Sequence, residues 1–329
     1  MRNLARALRA SGAAVAMTLA VAGCGGGGTV ADPGAEDTPS AAGGISVATA
    51  KGPVELSAPA TRVVSLEWSY TEELLALGVT PVGVADGEAY ESWVSAPGAG
   101  LPEGVTEVGS RQEPSIEKIK ALDPDMIVSD VDRLTANFDQ LRDIAPVLAF
   151  QPTEKPRLET MKTNFGELAK AVGKRDEADT VLADLDAKVD SVRDALADAD
   201  KAGRTVALSQ GYTTEGTPGI RMLSKDSLAG ALLESAGLTN GWSGKPDDWG
   251  MTTVGVEALT QVDEDATFLY VAQPGDDPFT GALADNPVWK DLPFVAEDRV
   301  RALDPGTWLF GGPLSSMQLL DETAKALGA

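Results

Sequence analysis

Tryptophan is the residue in this sequence best suited to binding a ligand. The chain has six tryptophans in 329 residues, and most lie in polar stretches rich in Gly, Ser or Asp: Trp68, Trp93, Trp242, Trp249, Trp289 and Trp308. A buried indole removes roughly 150–250 Å² from water, so several around one cleft could hold a bulky, partly apolar molecule. Each indole alone fits a core or lid position equally well. Trp289, in an Asn-Pro-Val-Trp-Lys run, is typical of a structural residue.

One arginine offers the complementary polar chemistry. Arg111 lies in the Gly-Ser-Arg-Gln-Glu-Pro-Ser segment 109–115, at a predicted strand-to-helix junction. A guanidinium can donate paired hydrogen bonds to anionic oxygens, so Arg111 is a candidate ligand-binding residue. The alternative is a surface arginine paired with Glu113.

Several catalytic classes lack the residues they need. The chain has no histidine and one cysteine, which excludes a Ser-His-Asp relay and most zinc sites. We therefore predict no catalytic residue, no protein-bound metal and no cofactor beyond a lipid. Catalysis by paired carboxylates stays open, because Asp and Glu are abundant but no pair can be placed. A protein without thiol or imidazole ligands more plausibly handles a metal that another molecule already coordinates.

The first residues indicate secretion. Arg2, Arg6 and Arg9 precede an apolar run and then Val-Ala-Gly-Cys, a pattern typical of a signal peptide. Cys24 stands where bacterial lipoprotein signals place the lipidated residue, and the alternative is an incidental cysteine. We predict a signal peptide over residues 1–23 and a lipid anchor on Cys24, followed by a flexible tether over residues 24–58.

The formal net charge of −23 argues against nucleic acid as a partner, because an acidic surface repels phosphate backbones. The charge does not select among small molecules, since a basic pocket can lie within an acidic surface.

The rest of the chain alternates strand and helix patterns on both sides of one long helical stretch. Its apolar stripe recurs at steps of three and four residues, at Leu182, Leu185, Val189, Val192 and Leu196. Gly173 is expected to break or bend this stretch. The predicted fold class is α/β, with two mostly parallel lobes over residues 59–155 and 201–329. A single long helix over residues 156–200 joins them, with a ligand cleft between. The alternative is one large sheet with the helix on its face.

Five segments together resemble the helical-backbone substrate-binding proteins of ATP-driven importers for iron–siderophore complexes, and most closely the members for ferric hydroxamates. The segments are 62–86, 90–94, 108–117, 240–257 and 286–318. They cover nearly all of the chain after the tether. The resemblance implies two α/β lobes joined by one helix, and a ferric siderophore as the ligand, with the iron held by the siderophore.

The resemblance also implies site residues. The arginine that binds hydroxamate oxygens in the family falls on Arg111. Its aromatic pocket positions fall on Trp93, Trp249 and Trp308, with Trp68, Trp242 and Phe310 as weaker candidates. A family tyrosine that supplies a second polar contact falls near Arg133, a departure that favours more anionic chelates of the ferric citrate type.

The family docks onto its permease through one acidic residue in each lobe, and these positions fall on Glu117 and Glu257. The alternative is that both are first-turn acids favoured by helix dipoles. The implied partners are a permease dimer and its ATPase. The implied protein is a monomer, held by its lipid on the outer face of the cytoplasmic membrane.

Three other functions stay open at this point. A haem or corrinoid receptor is disfavoured by the lack of histidine and by the Arg111 loop. A surface hydrolase would need a cleft lined by Asp and Glu in place of Trp and Arg. An adhesion or sensor lipoprotein would bind no small molecule.

Overall fold

The structure is a computed structural model that describes residues 44–329. The predicted signal peptide, Cys24 and the first part of the predicted tether lie outside the described residues. Among the helices of residues 44–329, none combines the length and apolarity needed to cross a bilayer.

The end of the predicted tether is ordered, which corrects that prediction. Strand β1 (Ile45–Val47) pairs antiparallel with β2 (Val54–Leu56). Val47 and Leu56 are buried in the same core as the first lobe. Two short alternating apolar pairs therefore form a hairpin around the turn at Lys51 and Gly52. The Gly, Ala and Pro content of the flanking residues concealed this pattern.

The first lobe is built on a five-stranded sheet in which every neighbouring pair is parallel. Its strands are β3 (Val63–Ser65), β4 (Gly83–Val84), β5 (Thr106–Glu107), β6 (Met126–Asp130) and β7 (Val147–Phe150), in the spatial order β5-β4-β3-β6-β7. The helices between them are α1 (Trp68–Ala76), α2 (Gly87–Trp93), α3 (Ile116–Ala121) and α4 (Phe138–Arg142). Strands β3, β6 and β7 are buried throughout. This burial is what a parallel sheet covered on both faces requires.

Two helices follow, and both run between the lobes. They are α5 (Arg157–Ala171) and α6 (Arg175–Asp198). Gly173 ends the first at φ 70°, the left-handed conformation that glycine adopts without strain. Lys162 pairs with Asp186 at 2.7 Å, so the two helices fold back on each other. The break expected at Gly173 is confirmed.

Helix α6 is the long helix that joins the two cores. Ala178, in its first turns, packs in the first-lobe core, whereas Leu185, Val189, Val192 and Leu196 pack in the second-lobe core. The apolar stripe therefore covers both lobes in turn.

The second lobe holds a six-stranded mixed sheet. Its strands are β8 (Thr205–Thr214), β9 (Thr217–Leu223), β10 (Thr239–Asn240), β11 (Met251–Val254), β12 (Thr267–Val271) and β13 (Val300–Ala302). The order is β11-β9-β8-β12-β13, with β10 also paired to β8. The β8–β9 and β9–β11 pairs are antiparallel, and the remaining pairs are parallel.

The helices of this lobe are α7 (Leu228–Ser235), a 3₁₀ helix (Val256–Gln261), α8 (Pro287–Lys290), α9 (Pro293–Ala296) and α10 (Pro313–Leu327). The α/β fold class with two lobes is confirmed. The residue numbers proposed for the lobe boundaries stay a prediction.

A buried contact ties the last helix to the first lobe. Glu72 of α1 accepts hydrogen bonds from the backbone N–H of Ser315, at 2.7 Å, and from its hydroxyl. Glu72 is fully buried and Ser315 lies in the first turn of α10. A carboxylate at a helix N-terminus satisfies otherwise unpaired N–H groups and meets the positive end of the helix dipole.

Candidate functional site

A cavity of about 690 Å³ lies between the two lobes, and helix α5 forms part of its wall. The first lobe contributes Glu67, Tyr70, Glu73, Arg111, Asp130 and Arg133; the second contributes Arg221, Trp249, Met251, Trp308, Phe310 and Gly311; and α5 contributes Arg157, Met161 and Asn164. The volume lies within the range of small-molecule sites.

The first-lobe wall of the cavity follows from the strand order. The chain adds strands on one side of β3 and then on the other, so the order reverses between β3 and β6. Glu67 follows β3, Arg133 follows β6 and Arg111 follows β5, so all three lie beyond the carboxyl ends of parallel strands. In open α/β sheets the crevice at such a reversal is the usual ligand site.

Arg111 is held by three contacts. Its Nη1 donates to Glu67 Oε1 at 2.9 Å, its Nε lies 3.3 Å from Asp86 Oδ2, and its guanidinium carbon lies 3.5 Å from the ring centroid of Trp68. The side chain is 15% exposed. The predicted alternative of a Glu113 partner is wrong, because the acids that meet Arg111 are Glu67 and Asp86. The guanidinium is therefore fixed at the cavity wall.

Arg133 shares the same acid. Its Nε donates to Glu67 Oε2, and its side chain is 27% exposed. Glu67 also accepts from the N–H of Trp68 at 2.8 Å, so it caps α1 and joins two arginines. Nothing local in the sequence marks Glu67 as a partner of residues 44 and 66 positions away.

Aromatic rings form the second-lobe side of the cavity. Trp308 and Phe310 follow β13, and their ring centroids lie 5.1 Å apart at 69°. Trp249 precedes β11 and lines the same cavity. Arg111, Arg133, Trp249, Trp308 and Phe310 are thus brought together, as five of the eight residues proposed to meet the ligand.

The other three aromatic candidates do not line the cavity. Trp68 is 3% exposed and lies behind Arg111, while the ring of Trp93 lies 6.1 Å from that of Trp308. Trp242 packs in the core of the second lobe. Trp68 and Trp93 therefore support the cavity wall, and Trp242 is a core residue; the proposed contacts of these three residues with the ligand stay predictions. Trp289 lies in that core too, as its sequence context indicated.

Buried carboxyl groups were missed in the sequence. Asp130 and Glu73 line the cavity, and Tyr70 donates to Asp130 Oδ1 at 2.8 Å. Burial raises the pKa of Asp130 to about 8, and the nearby charge of Glu67 adds to the effect. Burial also raises the pKa of Glu73 well above its usual range. The side chain of Asp130 is therefore expected to be mostly protonated at neutral pH.

Two further arginines were also missed. Arg157 is the first residue of α5, and Arg221 lies on β9; both line the cavity. Neither stands in a motif, since Arg157 follows a proline and Arg221 lies in a strand that the sequence did not reveal.

The two proposed docking acids are exposed. Glu117 lies in the first turn of α3, and Glu257 lies in the first turn of the 3₁₀ helix 256–261. Both are therefore accessible to a partner. Each also suits an acid favoured by a helix dipole.

Residues 44–329 contain no group of three or more His, Cys, Asp and Glu side chains placed to hold a metal ion. The cavity offers guanidinium groups, protonatable carboxyls and indole faces, a set suited to binding an anionic or polar molecule with an apolar body.

Comparison with known proteins finds relatives whose names describe the binding of ferric complexes. The chain is 29% identical over 272 residues to the iron(3+)-hydroxamate-binding protein FhuD of Escherichia coli, covering 81% of this chain and 87% of that protein. It is 27% identical over 258 residues to the Fe(3+)-citrate-binding protein YfmC of Bacillus subtilis, covering 78% of each.

The fold also resembles a solved structure, the siderophore-binding protein FhuD of Vibrio cholerae bound to Fe³⁺–Desferal. The TM-score is 0.72 at 26% identity, covering 82% of this chain and 98% of that one. A family model described as periplasmic binding protein matches residues 63–307. The chain belongs to the periplasmic binding protein family.

Proposed function

We propose that this protein captures a ferric siderophore, with the hydroxamate type favoured, in the cavity between its lobes. The observation that carries the proposal is the meeting of Arg111 and Arg133 with Trp249, Trp308 and Phe310 around one cavity. The guanidinium groups would bind the anionic oxygens that surround the iron, and the rings would cover the organic body. The siderophore supplies every iron ligand, and the protein performs no chemistry.

A ferric citrate-type chelate is the second candidate. Four arginine side chains line the cavity, and two of its carboxyls are raised in pKa by burial. With both of these carboxyls protonated, the four arginines would outnumber the two remaining acids of the cavity, Glu67 and Asp132, which would favour an anionic ligand. The similarity to a citrate-binding relative agrees with this candidate.

The loaded protein would then deliver its ligand to an ATP-driven importer. We assign docking to Glu117 and Glu257, which are both exposed and belong to different lobes. Two carboxylates could meet two basic residues on a two-fold permease. A lipid on Cys24 would hold the monomeric protein at the outer face of the cytoplasmic membrane.

Titration of tryptophan fluorescence tests the proposal. The protein is mixed with ferric hydroxamates, ferric citrate, a ferric catecholate, haem and cobalamin in separate titrations. We expect saturable quenching by at least one ferric siderophore, because the indoles of Trp249 and Trp308 line the cavity. The Arg111→Ala variant should bind that ligand about 10- to 100-fold more weakly, as the loss of a charge-assisted hydrogen bond implies.

The control is Arg142→Ala, since Arg142 lies outside the cavity with a 61% exposed side chain. It should leave the affinity unchanged. Saturation by haem or cobalamin alone would contradict the siderophore proposal, and binding by none of these molecules would favour an adhesion or sensor role.

A further inference from the structure

Trp249 differs from the other aromatic residues of the cavity in what supports its ring. The ring of Trp308 contacts those of Trp68 and Phe310, with centroids 4.9 and 5.1 Å apart, so these rings hold one another. Trp249 takes no part in those contacts, and among the described residues it packs into none of the hydrophobic cores. It lies in the loop between β10 and β11. The position of its ring therefore depends on the backbone that carries it.

A turn within this loop fixes the backbone at Trp249. Asp247 Oδ1 accepts hydrogen bonds from the N–H of Trp249 at 2.8 Å and from the N–H of Met251 at 3.1 Å. The N–H of Asp247 donates back to the carbonyl of Met251 at 2.8 Å. An aspartate side chain that binds the backbone two residues further on stabilises a turn. This turn sets the direction in which the chain carries the indole.

The next residue seats the turn on another segment of the second lobe. Gly250 has φ 75°, and a Cβ there would lie 2.4 Å from the backbone nitrogen of Ser227 and 2.5 Å from the carbonyl carbon of Asp226. Its carbonyl accepts from the N–H and the hydroxyl of Ser224, at 2.9 and 2.8 Å. Glycine allows both the left-handed backbone and this close approach. The turn therefore lies directly on residues 224–227.

Arg157 joins the turn to those residues from helix α5. It is the first residue of that helix and is 5% exposed. Its Nε donates to the carbonyl of Asp226, and its Nη2 donates to the carbonyl of Asp248, the residue directly before Trp249. Hydrogen bonds from an ionised donor are stronger than those between neutral groups, and the planar guanidinium fixes the angle between its two bonds. One side chain thus binds both layers.

The nitrogen atoms of Arg157 face the protein, although the residue lies in the cavity wall. Nε and Nη2 bind the two carbonyls, and Nη1 is enclosed, with no hydrogen-bond partner among the described residues. A ligand in the cavity therefore cannot bind Arg157 directly. This residue can act on a ligand only through its charge or through the backbone that it holds.

We propose that Arg157 is a positioning residue, which holds the indole of Trp249 in the place where it packs against the organic body of the ligand. This inference rests on the proposed function, because it takes Trp249 as a ligand contact. It gives a buried arginine on α5 a role in affinity without a bond to the ligand.

Fluorine NMR of the ligand-free protein, labelled with 5-fluorotryptophan, tests the positioning. The Trp249 resonance is the one that disappears in Trp249→Phe. Arg157→Gln should shift or broaden that resonance and leave the resonance of the core residue Trp289 unchanged. Arg157→Lys should have a smaller effect, because an ammonium can still bind one of the carbonyls. Arg142→Gln, at a side chain that is 61% exposed, should move no resonance.

A double-mutant cycle tests whether the effect reaches the ligand. The probe is Fe³⁺–Desferal with its terminal amine acetylated, in which three hydroxamates balance the charge of the iron, and its affinity is measured by calorimetry. Arg157→Gln should weaken binding about 3- to 30-fold, through the loss of ring contact. In the Trp249→Ala background the same substitution should change the affinity less than about 2-fold. Arg157→Lys should recover part of the loss.

Equal losses in the two backgrounds, an unchanged Trp249 resonance, or changes of similar size at Trp289 would overturn the inference. If Arg157→Gln fails to fold, Arg157→Lys is carried through both measurements. Asp247→Ala, at an exposed position, then removes the acceptor within the turn and should also move the Trp249 resonance. Asp247→Asn keeps an oxygen acceptor and is its control.

The two proposals fail in different ways. If the unmodified protein binds ferric citrate and not the acetylated probe, the same cycle is measured with ferric citrate, because an effect of the Arg157 charge alone would persist in Trp249→Ala. If it binds neither of these complexes nor any other ferric siderophore, the proposed function fails. The fluorine spectra of the ligand-free protein still decide whether Arg157 positions Trp249.

Discussion

Arg111 is positioned before any ligand arrives. Glu67, Asp86 and the face of Trp68 hold its guanidinium from three directions. A side chain fixed in this way loses little conformational entropy on binding. More of the free energy of each hydrogen bond to the ligand therefore contributes to affinity. The same acid reduces the net charge of Arg111, which suits it to oxygens whose charge is shared with a metal.

The burial of Asp130 predicts a pH-dependent stability. Its pKa is raised to about 8 in the folded protein, whereas an unfolded Asp titrates near 4. The folded state therefore keeps a proton that the unfolded state loses, so the free energy of unfolding falls as pH rises from about 4 to 8. Asp130→Asn should remove this contribution, on the order of 2–4 kcal/mol between pH 5 and 8.

Urea denaturation at pH 5 and pH 8 measures the effect. The amide oxygen introduced by Asp130→Asn could still accept the hydrogen bond from Tyr70, and Asp139→Asn is a control because the Asp139 side chain is 83% exposed. Relative to the unmodified protein, Asp130→Asn should gain stability as pH rises. The same pH slope in both proteins would show that Asp130 is ionised when folded.

At the scale of elements, replacing either of two glycines in and after helix α5 should change the stability of the protein in opposite directions. Gly173 has φ 70°, and an added Cβ would lie 3.0 Å from Pro59. Gly173→Ala should therefore reduce the free energy of unfolding by about 1–3 kcal/mol. Gly166 lies inside α5 with no atom within 4 Å of an added Cβ. Gly166→Ala should therefore raise the free energy of unfolding by about 0.5–1 kcal/mol.

Chemical denaturation of the two variants checks this pair. The substitutions are chemically identical and lie seven positions apart, so each serves as the control for the other. A shift in the same direction for both would contradict the assigned roles.

Elements with a strong local pattern could be predicted from the sequence. The buried strands β6, β7 and β12 and the stripe of α6 needed only hydrophobic runs or a helical period. Strand β9 could not be predicted, because Thr217–Leu223 contains Pro218 and Gly219 and its partner β8 continues past the apolar run. Because this strand was not predicted, Arg221 was not recognised as a candidate site residue.

Site residues could be predicted from the sequence only where they stand in polar loops. Arg111 and Trp249 stand in polar loops, so their types and settings pointed to ligand binding. Arg157 and Asp130 are marked only by contacts with residues far away in the sequence, which no local pattern contains. Arg157 contacts Asp226 and Asp248 of the second lobe, and Asp130 contacts Tyr70 of the first. Trp242 illustrates the opposite error, since its polar loop context hid a side chain that packs into the core.

At the scale of the whole molecule, the connections between lobes predict little closure on ligand binding. Helix α6 packs into both cores, and the buried Glu72–Ser315 contact joins α1 to α10. Bending at a hinge would have to break these contacts. Small-angle X-ray scattering should therefore give the same radius of gyration with and without ligand, and a clear decrease on binding would contradict this rigidity.

The proposed docking acids predict a defect in delivery without a defect in capture. Glu117→Lys and Glu257→Lys should each reduce ligand uptake through the permease in proteoliposomes, because each reverses one charge of the docking pair. Ligand affinity should stay the same, since neither residue lines the cavity. Glu103→Lys is the control, as another exposed first-lobe acid. Uptake that is equal in all four proteins would remove these two residues from the interface.

The central claim is that the cavity binds iron that a small molecule already coordinates. A crystal structure of the protein with a ferric hydroxamate tests it most directly. We predict the complex between the lobes, with Arg111 within hydrogen-bonding distance of iron-bound oxygens and Trp249 and Trp308 against its organic body. A complex bound outside the cavity, or iron coordinated by protein side chains, would contradict the account.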